Sequence, residues 1–169
     1  MAVLDILKYP DKFLRQPARP VDIIDDSTQQ FIQDMADTMY DEPGVGLAAT
    51  QVGSDKSIIV YDTTPQEESS SYNALINPEI VSSEGTTISE NEGCLSVPEF
   101  RADVKRFETV RVKALDRNGN PVDMDADGFL SVVLQHEIDH LNGILFIDRI
   151  SALKRELYKR RVKKQLKNQ

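Results

Sequence analysis

One cysteine, Cys94, is all the thiol in the 169-residue sequence. No disulfide can form within the chain, and a reducing compartment suits it. Long apolar runs are missing too. No stretch approaches the roughly 20 apolar residues of a membrane-spanning helix, so no membrane partner is expected. Asp5 and Lys8 interrupt the apolar start between Met1 and Pro10, which makes it a poor secretion signal. The expected location is cytoplasmic. Basic residues are scarce in most of the chain: residues 1–150 hold 12 Lys/Arg against 27 Asp/Glu, a balance of −15. That body repels phosphate, so DNA is not an expected partner. Residues 151–169 reverse the sign, with eight basic residues against Glu156 alone, a balance of +7. A basic tail on an acidic body points to a polyanionic partner for the tail.

Histidine is nearly as scarce as cysteine, and the two present stand together in Gln135-His136-Glu137-Ile138-Asp139-His140. Alone, each piece has an ordinary reading. A histidine in a buried helix is usually a hydrogen-bonded core residue, and a lone cysteine is usually a small hydrophobe. Together they read differently. His136 and His140 at i and i+4 lie one turn apart on one helix face. Two imidazoles so placed can bind one metal, with the intervening glutamate as a general base. Glu137 lies about 100° around the helix from His136, and His140 about 40°, so Glu137 can reach a metal-held water without being a ligand. With no third histidine available, the candidate third ligand is Cys94, in Glu92-Gly93-Cys94-Leu95-Ser96. Three protein ligands leave a fourth position for water, and the metal makes that water a hydroxide source near neutral pH. The chemistry expected is hydrolysis of a carbonyl compound, an amide foremost.

The patterning predicts α+β: short antiparallel sheets packed around a central metal-binding helix, with a C-terminal helix. Asp11 to Pro20 reads as a helical turn between prolines. Ser27 opens a helix through a Ser27-x-x-Gln30 capping box, with Phe31, Ile32, Met35 and Met39 at helical spacing and an end near Glu42. Ser57 to Asp62 reads as a buried strand, and Thr63 to Tyr72 as a mobile loop. Ala74 to Asn77, Glu79 to Ser83 and Thr86 to Ser89 read as three short strands. Val110 to Asp116, with Val110, Val112 and Ala114 inward, turns at Asn118-Gly119 into Pro121 to Asp125. Ala126 to Asn142 is a mostly apolar, central helix. Ser151 caps a last helix with Leu153, Leu157, Val162 and Leu166 as its apolar stripe. Residues 1–150 are the expected catalytic domain, and 151–169 a basic C-terminal helix of the same domain.

Three motifs in order resemble those of the peptide deformylase family. Gly44-Val45-Gly46-Leu47-Ala48-Ala49 with Gln51 is similar to G-x-G-L-A-A-x-Q, the Cys94 segment to E-G-C-x-S, and the histidine segment to Q-H-E-x-D-H. The similarity runs from Val3-Leu4 to the start of the tail. It implies removal of the formyl group from the N-terminal formylmethionine of nascent peptides. It implies Cys94, His136 and His140 as ligands of one divalent ion, Fe2+ first, with Ni2+, Co2+ or Zn2+ able to substitute. Glu137 is implied as general acid/base, with the Gln51 side chain and the Leu95 backbone N–H donating to the oxyanion. Val45, Gly46, Phe129, Val132 and Val133 are implied at the substrate, with Arg101 further along the peptide. Glu92 and Asp139 are implied as supports, Glu92 beside the substrate. Val45 and Phe129 depart from the usual Ile and Leu, which bears on fine substrate preference. For the tail the resemblance implies docking at the ribosome. Two rivals stand beside this: a zinc protease or other amidase, and a ribosome-associated structural metal protein, which would normally have four protein ligands.

Overall fold

The computed structural model describes residues 2–64 and 71–168. Among them, three α-helices, α1 (Asp26–Asp41), α2 (Gly128–Leu141) and α3 (Ala152–Lys167), combine with seven strands. The strands are β1 (Gly46–Ala48), β2 (Ile58–Tyr61), β3 (Asn73–Glu84), β4 (Thr87–Cys94), β5 (Val97–Arg106), β6 (Thr109–Leu115) and β7 (Pro121–Asp127). An antiparallel sheet runs β1-β2-β3-β6-β7, and β4-β5 forms a separate hairpin. The fold is α+β, as the patterning predicts.

The sheet is buried on both faces where it matters. Successive strand residues point to opposite sides. In β2, Ile58 and Val60 pack with Ile32, Met35 and Met39 of α1, while Ile59 and Tyr61 pack with Leu134, Ile138 and Leu141 of α2. That double burial explains why β2 is an unbroken apolar run rather than an alternating one. Full burial of each such aliphatic chain contributes about 1.5–3 kcal/mol. A further cluster joins Val97 and Val104 of β5 to Phe146 and to Tyr158 and Val162 of α3. The helix α2 is therefore walled in by the sheet on one side and approached by the hairpin on another, and every residue from Val133 to Leu141 is buried.

Several expectations need correction. The N-cap of α1 is Asp25, not Ser27: its carboxylate accepts from Thr28 N at 3.0 Å, and Thr28 Oγ1 answers on Asp25 N. The three short strands before residue 90 are two. Residues 73–84 form one bent strand, with register shifts between Ile76 and Glu79 and between Ile80 and Ser82. At the bend Asn77 has φ +54, and its side chain bonds both Val21 N (2.8 Å) and Val21 O (3.0 Å). The helix α2 begins at Gly128 rather than Ala126, because Ala126 and Asp127 still pair with Val110 and Thr109. The strand-to-helix corner is taken by Gly128 itself at φ +55, a conformation glycine adopts without steric penalty. The stripe of α3 is also different: Tyr158 and Val162 are buried, while Leu153, Leu157 and Leu166 are exposed. The turn at Asn118-Gly119 and its two strands stand as expected. The expected mobile loop, Thr63 to Tyr72, falls mainly on residues 65–70, outside those described.

Candidate active site

Two elements bring the rare ligands together. The helix α2 projects His136 and His140 from one face, and β4 ends on Cys94. Cys94 Sγ lies 3.2 Å from His140 Nε2, which lies 3.3 Å from His136 Nε2. The three candidate ligand atoms all fall within 4.8 Å of one another. The surroundings fit a cation there. Glu92 Oε1 lies 2.7 Å from His136 Nδ1, a contact that turns the opposite ring nitrogen, Nε2, toward His140 and Cys94. Burial, and then the neighbouring His136, hold His140 well below the usual imidazole range, so it is a neutral donor. Ser96 N (3.4 Å) and Gln51 Nε2 (3.6 Å) both donate toward Cys94 Sγ. One sulfur and two imidazole nitrogens suit a borderline transition metal.

Glu137 lies beside this triangle, almost fully buried, and its Oε1 has no hydrogen-bond partner among the described residues. Burial pushes its carboxyl up to about 7. A buried, unpaired carboxylate is costly unless something else engages it. The strand β1 passes directly over it at Gly46. A β-carbon there would clash with the Glu137 side chain, so glycine is what lets the strand and that carboxyl lie side by side. Gln51 sits in a 3-10 turn, Ala49–Val52, and its amide is locked: Oε1 accepts from Ala48 N at 2.9 Å and Nε2 donates to Ser96 Oγ at 3.0 Å. The N-terminal arm ties these pieces down, Leu7 N donating to Gln51 O and Tyr9 N to Ser96 O, each at 2.7 Å.

A cavity of about 810 Å³ opens over the cluster and is lined by Val45, Gly46, Gln51, Glu92, Cys94, Leu95, Arg101, Phe129, Val132, Val133, His136 and Glu137. Every residue expected at the substrate thus borders one space. Their surroundings differ, though. Phe129, 57% exposed, stands at the mouth, and Val133 is buried. Arg101 is exposed and donates to Asn91 O at 3.2 Å. The Glu92 carboxylate is taken up by His136 and Arg106. Burial pushes that carboxyl up, but the bonds from His136 and Arg106 outweigh it and hold it at about 2.

Arg106 is the buried residue that sequence reasoning missed. It pairs with Glu92 and, at 2.8 Å, with Asp139, which also holds Arg149. A signal existed: Ala102, Val104 and Arg106 share the inward face of β5 at a spacing of two. Phe146 supports the site from behind, its ring stacked on His136 with centroids 6.2 Å apart.

The fold and the site define an α+β hydrolase class built on a Cys-His-His cluster with a glutamate at its side. Residues 3–156 match the family model described as polypeptide deformylase. The chain is 56% identical over 167 residues to a peptide deformylase of Desulfosudis oleivorans, covering 99% of this chain and 96% of that one. It superposes on the crystal structure of a peptide deformylase from Legionella pneumophila with a TM-score of 0.90 and 48% identity, covering 98% and 96% of the two chains. A peptide deformylase from Synechococcus elongatus, solved in complex with actinonin, gives 0.87 and 45%, with 90% and 83% covered. The chain belongs to the polypeptide deformylase family, a family of metal-dependent hydrolases. No helix among the described residues is long and apolar enough to cross a membrane.

Proposed function

We propose that this enzyme removes the formyl group from N-terminal formylmethionine on nascent polypeptides in the cytoplasm, using one divalent ion and Glu137 as its acid and base. The observation that carries this reading is the buried Glu137 carboxyl, its Oε1 without a hydrogen-bond partner among the described residues, beside Cys94, His136 and His140 in the lining of an open cavity. A divalent ion held by those three residues, ferrous iron by preference, with nickel, cobalt or zinc able to substitute, would polarise a carbonyl and acidify a water.

The chain's own residues do the rest. Glu137 takes a proton from the attacking water and returns it to the peptide nitrogen as formate leaves. The Gln51 amide, turning one Nε2 hydrogen away from Cys94 Sγ, and the Leu95 backbone N–H stabilise negative charge growing on the formyl oxygen. Val45, Val132, Val133 and Phe129 shelter the methionine side chain, Gly46 and Glu92 border the same channel, and Arg101 reaches further along the peptide. Residues 1–150 carry the catalysis. Residues 151–169 form a basic helix of the same domain that docks on the ribosome, where the substrate emerges.

The test is formate release from a formyl-Met-Ala-Ser peptide by anaerobically prepared, Fe2+-reconstituted protein, run beside an unformylated copy. Release of formate with the peptide backbone intact supports the reading. Internal cleavage of the unformylated peptide instead would make the enzyme a protease.

A further inference from the structure

Arg106 closes β5 with its side chain 2% exposed, and it does not line the cavity over the Cys-His-His cluster. Its Nε lies 3.3 Å from Glu92 Oε2, its Nη2 bonds Glu92 Oε1, and its Nη1 lies 2.8 Å from Asp139 Oδ2. Glu92 belongs to β4, two residues before Cys94, and holds His136 Nδ1. Asp139 belongs to α2, immediately before His140. One guanidinium therefore spans the element that carries the thiol and the element that carries both imidazoles.

We propose that Arg106 is a positioning residue that locks the β4-β5 hairpin to α2, so that Cys94, His136 and His140 converge before an ion arrives. The inference rests on the metal reading above and deepens it. Only a planar fork of several fixed donors can serve two carboxylates on different elements in one geometry; a lysine is a single point charge on a flexible stem. The site also needs the positive charge. Without Arg106, Glu92 keeps only His136 as a partner among the described residues, and Asp139 keeps Arg149, whose side chain is 42% exposed. An uncompensated buried carboxylate then pulls Glu92 toward water and away from His136, and the imidazole loses the contact that turns its Nε2 toward His140 and Cys94.

The experiment is a Co2+ titration of apo wild type, R106K, E92Q, R106M and E92Q/R106M, followed by sulfur-to-cobalt charge-transfer absorbance, with folding checked by circular dichroism. Wild type gives the band. R106K, folded, binds Co2+ about 10–100-fold more weakly. Once saturated, it keeps its KM for formyl peptide within twofold of wild type. E92Q/R106M is no weaker than the worse single variant, because both act along one path. Co2+ affinity of R106K within twofold of wild type overturns the proposal, as does full additivity in the double variant. Should R106K fail to fold, the charge-neutral E92Q/R106M decides alone: wild-type affinity overturns the proposal, and weakened affinity equal to that of E92Q supports it. Absence of the band in wild type would instead strike the metal reading itself.

Discussion

A β-carbon on Gly46 would fall 2.6 Å from Glu137 Oε2 and 2.9 Å from its Cγ. The strand and the carboxylate thus occupy neighbouring space that no other residue type at position 46 leaves open. Both neighbours of Gly46 constrain it, since Leu47 is fully buried and Gly46 itself pairs with Tyr61. In Gly46→Ala the side chain of Glu137 must move, because the strand cannot. The expected outcome is a loss of kcat by about tenfold or more, on the order of 1.4 kcal/mol in barrier, with metal content unchanged. Steady-state kinetics beside elemental analysis checks this, and an unimpaired kcat would show that Glu137 tolerates displacement.

Cys94 supplies the one soft donor of the triangle. Cys94→Ala leaves two imidazoles, so the protein should emerge from gel filtration in buffer without bound metal. Full metal occupancy in that variant would remove Cys94 from the site.

The acid limb of the reaction follows from Glu137. Burial raises its carboxyl to about 7. A cation on the neighbouring ligands favours the ionised form and draws that value down toward the ordinary 4.5. Glu137 works as a base only when ionised, so kcat/KM should rise with pH through a midpoint between 4.5 and about 7. A flat profile across that window, in protein that stays folded and loaded, would exclude Glu137 as the titrating base.

Charge on α3 should matter for location and not for chemistry. Deleting the helix is a poor test, because Tyr158 and Val162 pack with Leu14, Val97 and Phe146 in the core. Reversing the exposed Lys163, Lys164 and Lys167 to Glu spares that packing. The expected result is loss of salt-sensitive co-sedimentation with ribosomes and unchanged turnover of a free formyl peptide. Unchanged co-sedimentation would rule out docking through this face.

What was legible in the sequence depended on how local the signal was. The buried run of β2, the β6-β7 hairpin with its Asn-Gly turn, and the apolar body of α2 all follow from periodicity and turn chemistry within a few residues. His136, Glu137 and His140 were legible for the same reason, being one helical turn. The β4-β5 hairpin was not, because register shifts at Ser89/Glu92 and Glu92/Cys94 break the alternation that marks a strand. Arg106 was hidden by its chemistry: an arginine at the end of a charged segment reads as solvated. Only the approach of Glu92 and Asp139, 14 and 33 residues away in sequence, makes it a buried one.

The central claim is that Glu137 carries the proton while Cys94, His136 and His140 carry the ion. The most direct test compares wild type with Glu137→Ala, both reconstituted with Fe2+ under anaerobic conditions and both measured for metal content and formate release. The account predicts equal metal content and a fall in turnover of about 100-fold or more in the variant. Near-wild-type release of formate by the metal-loaded variant would contradict it.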